Sequence, residues 1–584
     1  FNLYYLLLLR QWRAALRSDE LWTYLGLAVV ATGVITLDLR GVYGGLGACL
    51  RQAAFQVSSV LTTTGYATAD FDLWPGLSRA ILFALLFALQ TGYGTPAAAQ
   101  DTAAGISGQT CSATASGKVT DETGTPVSGV VVSDGRNCVA TDKKGRYTLR
   151  CDPSATHLFI SVPAGYETTG QQGFGSYPDF YVPIEPAAGK PGKLRADFRL
   201  RTVPQSQQNF TLLLVGDPQS DSDQQIVRYE RETIADMKRT LGQAGTYAVA
   251  IALGDVVGRG DGQSHLKHKR VMGTLGVPYY ATAGNHDKDA MDYSGETFSK
   301  ALGPRWYSFN VGDVHFVCMD NVDSFEEQKK GAKYHAGFSD IQLQWLRQDL
   351  AFVGKDKMIF LYYHIPERDH TSHRNHDAVF SLIAPYENTV TACGHTHFFQ
   401  PYMETEYGTS EYIMGAACGY FWRSHCAGDG VPNGYSVMTV SGTEITDAYF
   451  KGTGHSRDYQ LRLYRGDDIF GSERASYTYG MGSDVILANV FFAGMGGKWK
   501  IEVFEDGELS GEMEKMDPSI GDLWIRGYHT GVKSFPKKSA SAPCHHLFSY
   551  KLKNPDAKVV VRATDPFGNT YTQNRITRAG DYGD

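Results

Sequence analysis

None of the nine cysteines falls into a CxxC pair, which argues against a zinc ribbon or a thioredoxin-like redox site. Nine is an odd number, so at least one cysteine is unpaired within the chain. Cys138 and Cys151 flank an expected hairpin, and Cys418 and Cys426 flank a loop. Each pair reads equally as a disulfide in an oxidising compartment or as two buried thiols. An excess of basic residues is lacking too. The formal net charge is −7, which offers no electrostatic reason to bind nucleic acid. At 42% hydrophobic and 20% charged, the composition is not that of a disordered chain. Its 584 residues exceed what one core can hold, so three or four domains are expected.

The first hundred residues stand apart. Leu21 to Leu37 is an apolar run close to the length needed to cross a bilayer. The stretch from Phe55 to Pro75, with its Thr-Thr-Gly-Tyr, resembles the pore loop of Trk-type potassium uptake proteins. It amounts to one of the four repeats such a transporter needs, and a single repeat cannot enclose an ion filter. Arg79, the apolar run Ile81 to Leu89 and the small residues Ala97 and Ala99 then form the three parts of a secretory signal. Residues 1–78 thus read as a Trk-transporter-like membrane fragment and 79–100 as a signal-peptide-like segment. These features lead us to expect export (periplasmic, cell-surface or secreted), with membrane association through residues 1–90 if the segment is retained.

From 101 to 203 short alternating strands are punctuated by turn signals such as Asp-Glu-Thr-Gly and Asp-Lys-Lys-Gly. The pattern resembles a transthyretin-like or carboxypeptidase-regulatory-like β-sandwich, with an Ig-like architecture, and reads as an accessory module. Pro204 to Phe210 is a polar linker. Residues 204–453 alternate buried strands with helical segments, as a layered α/β domain does. Residues 454–584 return to strand-like alternation and read as a β-rich accessory domain.

Five short segments of the α/β region carry chemistry: Gly216-Asp217-Pro218-Gln219, Gly254-Asp255, Gly284-Asn285-His286-Asp287, His364-Ile365-Pro366 and Gly394-His395-Thr396-His397. Several directly follow an apolar run, LLLV, AVAIAL, MIFLYY or TVTAC, which places them at strand ends where ligands and metals collect. An Asp after a strand is often only a helix cap, and a lone His is usually structural. Five in series, all of metal-ligand type, leave that bland alternative little room.

In order and content the segments resemble the calcineurin-like metallophosphoesterases, whose signature is D-x-H, G-D, G-N-H-D/E, H and G-H-x-H. The resemblance covers about Phe210 to Phe450. It implies a four-layer α/β fold, a double β-sandwich flanked by helices, with a dinuclear metal site at the strand ends. Carried over by position, Asp217, Asp255 and His397 hold one metal, and Asp255, Asn285, His364 and His395 hold the other. Asp255 bridges them, and His286 is the catalytic histidine that is not a ligand. Gln219 stands where the family usually has His, and its carbonyl oxygen is a neutral, harder ligand that favours Mn or Mg in the first site. The closest likeness is to the branch that carries Asp-Pro-Gln and flanks the catalytic domain with β modules.

The chemistry agrees. Two cations about 3.5–4 Å apart both clamp phosphoryl oxygens and acidify a water between them. Mixed imidazole and carboxylate ligands suit Mn, with Fe, Zn and Mg as alternatives. A histidine acid has an unperturbed pKa near working pH. The expected activity is metal-dependent hydrolysis of a phosphomonoester or phosphodiester; the rival reading is a catalytically silent surface-binding protein on the same scaffold. In GYFWRSH, Tyr420 or Trp422 is placed to stack on an organic group and Arg423 to meet phosphate, against the alternative of a surface loop with core aromatics. His370, His373 and His376 read as a solvated loop, His315 as structural, and Asp320-Asn321 as support for the site.

Overall fold

The computed structural model describes residues 19–43, 45–61, 74–79, 81–82, 114–184, 193–289, 294–323, 334–367, 373–400, 408–494, 498–536 and 541–582. These form two compact units, 1–108 and 109–584. In the first unit, helices α1 (Asp19–Asp38) and α2 (Leu46–Leu61) bury Ile35, Leu39, Ala53 and Val57 in a small apolar cluster of their own. Among the described residues no helix is long and apolar enough to cross a membrane. Thr63 to Tyr66 of the pore-loop likeness and Ala97 and Ala99 of the signal-like segment lie outside the described residues, as does His370.

The second unit starts with a β-sandwich. Its strands are β1 (Thr114–Thr120), β2 (Val131–Ser133), β3 (Cys138–Ala140), β4 (Arg146–Arg150), β5 (His157–Ser161), β6 (Tyr166–Thr168), β7 (Tyr181–Pro183), β8 (Lys193–Arg195) and β9 (Phe198–Thr202). One sheet runs β4-β1-β9-β6 with β8 also on β1, and the other runs β3-β2-β5-β7. The sandwich is not a bead on a string. Its core is continuous with that of the following domain: Phe159 meets Trp345 at 6.4 Å between ring centroids. Asn310 donates its N–H to Val162 O at 2.8 Å, and Trp306 Nε1 donates to Gly135 O at 2.8 Å. The polar linker is docked as well, since Gln207 is buried and its Oε1 accepts from Gly165 N.

Two five-stranded sheets form the centre. The first has β10 (Asn209–Val215), β11 (Tyr247–Ala252) and β12 (Tyr279–Ala281) in parallel, extended by β20 (Gly434–Ser441) and β21 (Glu444–Gly452) antiparallel beyond β10. The second runs β13 (Tyr307–Val311), β14 (Val314–Cys318), β17 (Met358–Tyr362), β18 (Asn388–Cys393) and β19 (Ser410–Ile413), parallel from β14 onward. The short strands β15 (Val322–Asp323) and β16 (His335–Ala336) pair apart from both sheets. β11, β14 and β17 are buried at every position, as strands covered on both faces must be. The two sheets pack through aromatic pairs: Phe210 lies 6.1 Å from Phe316, and Tyr280 stacks on Phe309 at 3.8 Å. β10, β11 and β12 run parallel to one another, as do β17 and β18, and the five polar segments follow the carboxyl ends of these five strands.

The C-terminal module, from Leu461, adds sheets of its own and two apolar clusters. It also carries a helical turn, Leu523–Gly527 continued by Tyr528–Val532, which strand alternation did not anticipate. All described cysteines are free thiols. Cys418 packs in the central core and Cys426 in a C-terminal cluster, so the two face different interiors. Cys138 lies on β3 of one sheet, whereas Cys151 follows β4 of the other.

Candidate active site

Three of the turns leaving these strands, after β10, β11 and β18, are tight. Asp217, Gln219, Asp255, His395 and His397 all adopt left-handed backbone, with φ of 40°, 38°, 48°, 70° and 65°. They make up half of the ten non-glycine residues with positive φ among those described. Such conformations cost roughly 1–3 kcal/mol each and persist only where the surroundings enforce them. Two glycines make the crowding possible. A Cβ on Gly284 would lie 2.1 Å from Asp255 Oδ1, and one on Gly394 would lie 2.5 Å from Asp217 Oδ2.

The side chains converge. Ligand atoms of Asp255, His364 and His395 lie within 4.8 Å of one another, and so do those of Asp217, Asp255 and His397. Asp255 belongs to both groups. His364 Nδ1 lies 2.9 Å from the carbonyl oxygen of Leu253, which fixes the proton there. Its Nε2 lies 3.1 Å from Asn285 Oδ1, 3.3 Å from Asp255 Oδ1 and 3.2 Å from His395 Nδ1, and against the effect of burial the Asp255 carboxylate pushes this imidazole up to about 9, so Nε2 carries a proton at pH 7. A divalent cation among these atoms would displace that proton and take the nitrogen and oxygen lone pairs in its place. Gln219 donates Nε2–H to Asp255 Oδ2 at 3.1 Å, while its buried Oε1 has no hydrogen-bond partner. Burial, with a share from the nearby Asp255 carboxylate, pushes the Asp217 carboxyl well above the usual range. Burial also pushes His395 and His397 down to about 3 and about 4, leaving both imidazoles neutral at pH 7. An orphaned carbonyl, crowded carboxylates and neutral imidazoles all fit divalent cations.

Supporting residues hold the loops. Asn321 Oδ1 accepts from His364 N and Ile365 N at 3.2 and 3.0 Å. Asp287 accepts from Val256 N, Val257 N and Gly284 N, and His265 Nε2 lies 3.2 Å from it. The His265–Asp287 pair is a support the sequence did not single out; the nearest signal was Asp287 closing the Gly-Asn-His-Asp motif. His315 is buried 2.9 Å from Asp349, a structural partner. His373 Nδ1 lies 2.9 Å from Glu367, and His376 stacks on Phe380.

His286 is exposed beside the cluster, with its ring Nδ1 2.9 Å from Gly258 O. Of the GYFWRSH residues, Trp422 is buried and its Nε1 donates to Pro218 O at 2.8 Å. Tyr420 is buried and stacked on Phe535 at 4.7 Å. Arg423 is exposed, its guanidinium 5.9 Å from the Phe535 ring. The aromatic ring that faces the cluster is Phe421, 5.0 Å from the His397 ring. Nothing in the local sequence separated it from its two neighbours.

Residues 210–399 match the family profile described as calcineurin-like phosphoesterase, 113–203 that of its N terminal and 411–571 that of its C terminal. The fold and site are those of a phosphoric ester hydrolase. The chain belongs to the calcineurin-like phosphoesterases, in the form that carries both flanking domains. A probable cyclic nucleotide phosphodiesterase of Psychrobacter arcticus is 24% identical over 217 residues, 35% of this chain and 75% of that protein. A probable glycerophosphodiester phosphodiesterase GpdQ of Arcobacter nitrofigilis is 25% identical over 161 residues, 26% of this chain and 56% of that protein. The solved 5'-nucleotidase of Candida albicans SC5314 superposes at a TM-score of 0.28 with 12% identity, over 42% of this chain and 52% of that one. That likeness is too loose to bear on the site.

Proposed function

We propose that this chain hydrolyses a phosphodiester at a dinuclear metal centre held by Asp217, Gln219, Asp255, Asn285, His364, His395 and His397. The carrying observation is that the two ligand groups share Asp255. When bound, two divalent cations neutralise the phosphoryl oxygens and make a water nucleophilic at neutral pH. The protein's part is orientation and proton handling. The Asp255 carboxylate is held from both sides, Oδ1 by His286 N at 2.8 Å and Oδ2 by Gln219 Nε2. With the His286 Nδ1 proton directed at Gly258 O, Nε2 is the ring nitrogen left for the leaving oxygen, and it carries a proton to deliver there when the ring is the doubly protonated imidazolium. The nitrogen and oxygen donor set suits Mn, and the neutral Gln219 oxygen favours Mn or Mg over Zn on its side. The names of the two relatives favour a diester over a monoester. The signal-like segment from Arg79 to Gln100 supports an exported enzyme.

The test is hydrolysis of paired chromogenic mono- and diester phosphates by the full chain, with added Mn and with chelator. Turnover greater on the diester and abolished by chelator is the expected result. A folded chain that holds two ions per molecule and hydrolyses neither ester would sink the proposal.

A further inference from the structure

We propose that Phe421 is a stacking platform for an organic group of the ester, so that the substrate class is a phosphoester that presents a flat ring beside its phosphorus. The inference rests on the phosphoester reading above and adds which esters are taken. A lone exposed phenylalanine means nothing by itself, but this one stands between two neighbours that are both fixed in the interior. Phe421 is 44% exposed between Tyr420 at 7% and Trp422 at 6%. Phe421 and Trp422 both have left-handed backbone, φ 49° and 59°, an unfavourable conformation for bulky side chains.

The strain is enforced locally. Trp422 N donates to Cys418 O and Arg423 N to Tyr420 O, each at 2.9 Å. Arg228 Nη1 donates to Trp422 O at 2.6 Å, and its guanidinium lies over the Trp422 ring. Trp422 Nε1 ties the loop to Pro218 O, between the ligand candidates Asp217 and Gln219. Behind it, Tyr420 packs on Phe535 and on His529 at 4.9 Å, so the C-terminal module backs the platform. Relaxing the loop would turn Phe421 away from the site; the structure spends its contacts keeping it there. A phosphoryl group held at the cluster lies beside His397, whose ring is 5.0 Å from that of Phe421, so a flat ring carried on the ester comes within reach of Phe421.

The experiment uses the full chain loaded with Mn and compares binding of phenylphosphonate and methylphosphonate by calorimetry, in wild type, Phe421→Leu and Phe421→Trp. Wild type should prefer the phenyl ligand, Phe421→Leu should cut that preference about five- to tenfold, and Phe421→Trp should keep it. An equal loss for both ligands, no change, or wild type that binds neither would overturn the platform. Aryl-selective binding by a chain that hydrolyses no ester would overturn the hydrolase reading and leave the platform standing. Ester turnover with an aryl preference unmoved by Phe421→Leu would do the reverse.

Discussion

His286 donates its backbone N–H to Oδ1 of Asp255 at 2.8 Å, so the histidine proposed to protonate the leaving group also orients the carboxylate common to both ligand groups. Removing the imidazole leaves that backbone contact in place. Removing the charge of Asp255 does not leave the metal site in place.

The two substitutions should therefore separate. His286→Ala is expected to lower kcat by about 10²–10⁴-fold while metal content stays at the wild-type level. Asp255→Asn is expected to lose both turnover and bound metal. Metal analysis of the purified variants beside steady-state kinetics checks this, and equal metal loss in both would contradict the assigned roles.

Gln219→His replaces a neutral oxygen donor with an imidazole and removes the hydrogen bond to Asp255 Oδ2. Affinity should shift toward zinc and away from manganese and magnesium. Competition titrations of the metal-stripped chain read this directly; an unchanged metal preference would mean that Gln219 Oε1 does not ligate.

Gly284→Ala puts a Cβ 2.1 Å from Asp255 Oδ1, with the Asp255 backbone N 2.2 Å away. The backbone there cannot yield cheaply, so we expect destabilisation of roughly 1–3 kcal/mol together with lost metal binding. Denaturant melts give the first effect. Wild-type stability and metal content in this variant would show that the loop is looser than described.

His157 links stability to pH. Burial, with added repulsion from Arg305 and Lys269, lowers its pKa from 6.5 to about 4. Between those values the unfolded chain binds a proton that the folded chain refuses, so stability falls as pH drops from about 6.5 to about 4. The full contribution is on the order of 3 kcal/mol. His157→Gln should flatten the wild-type slope in that window, as measured by urea midpoints at half-unit pH steps. Parallel slopes would place the acid sensitivity elsewhere.

Much of the site was legible in sequence because its ligands follow strands that advertise themselves. LLLV before Gly216-Asp217 and AVAIAL before Gly254-Asp255 are apolar runs of the kind that strands covered on both faces carry. Candidate ligands are local chemistry, and five of them, Asp217, Asp255, His364, His395 and His397, do come together in the structure. The cysteines were not legible this way: whether Cys418 and Cys426 meet depends on which core each side chain enters, and they enter different ones. The N-terminal sandwich likewise looked detachable, yet Phe159 against Trp345 and Asn310 on Val162 fuse its core with the catalytic one.

The sequence by itself determined the family and its reaction class and named the candidate ligands, since each depends on residue type and on periodicity along the chain. Only the tertiary structure decided which of three adjacent aromatics faces the cluster. Tyr420, Phe421 and Trp422 are chemically alike, and two left-handed backbone angles, imposed by Pro218, Arg228 and Phe535 from distant parts of the chain, bury two of them and turn the third outward. A dihedral set by long-range contacts leaves no trace in the local sequence.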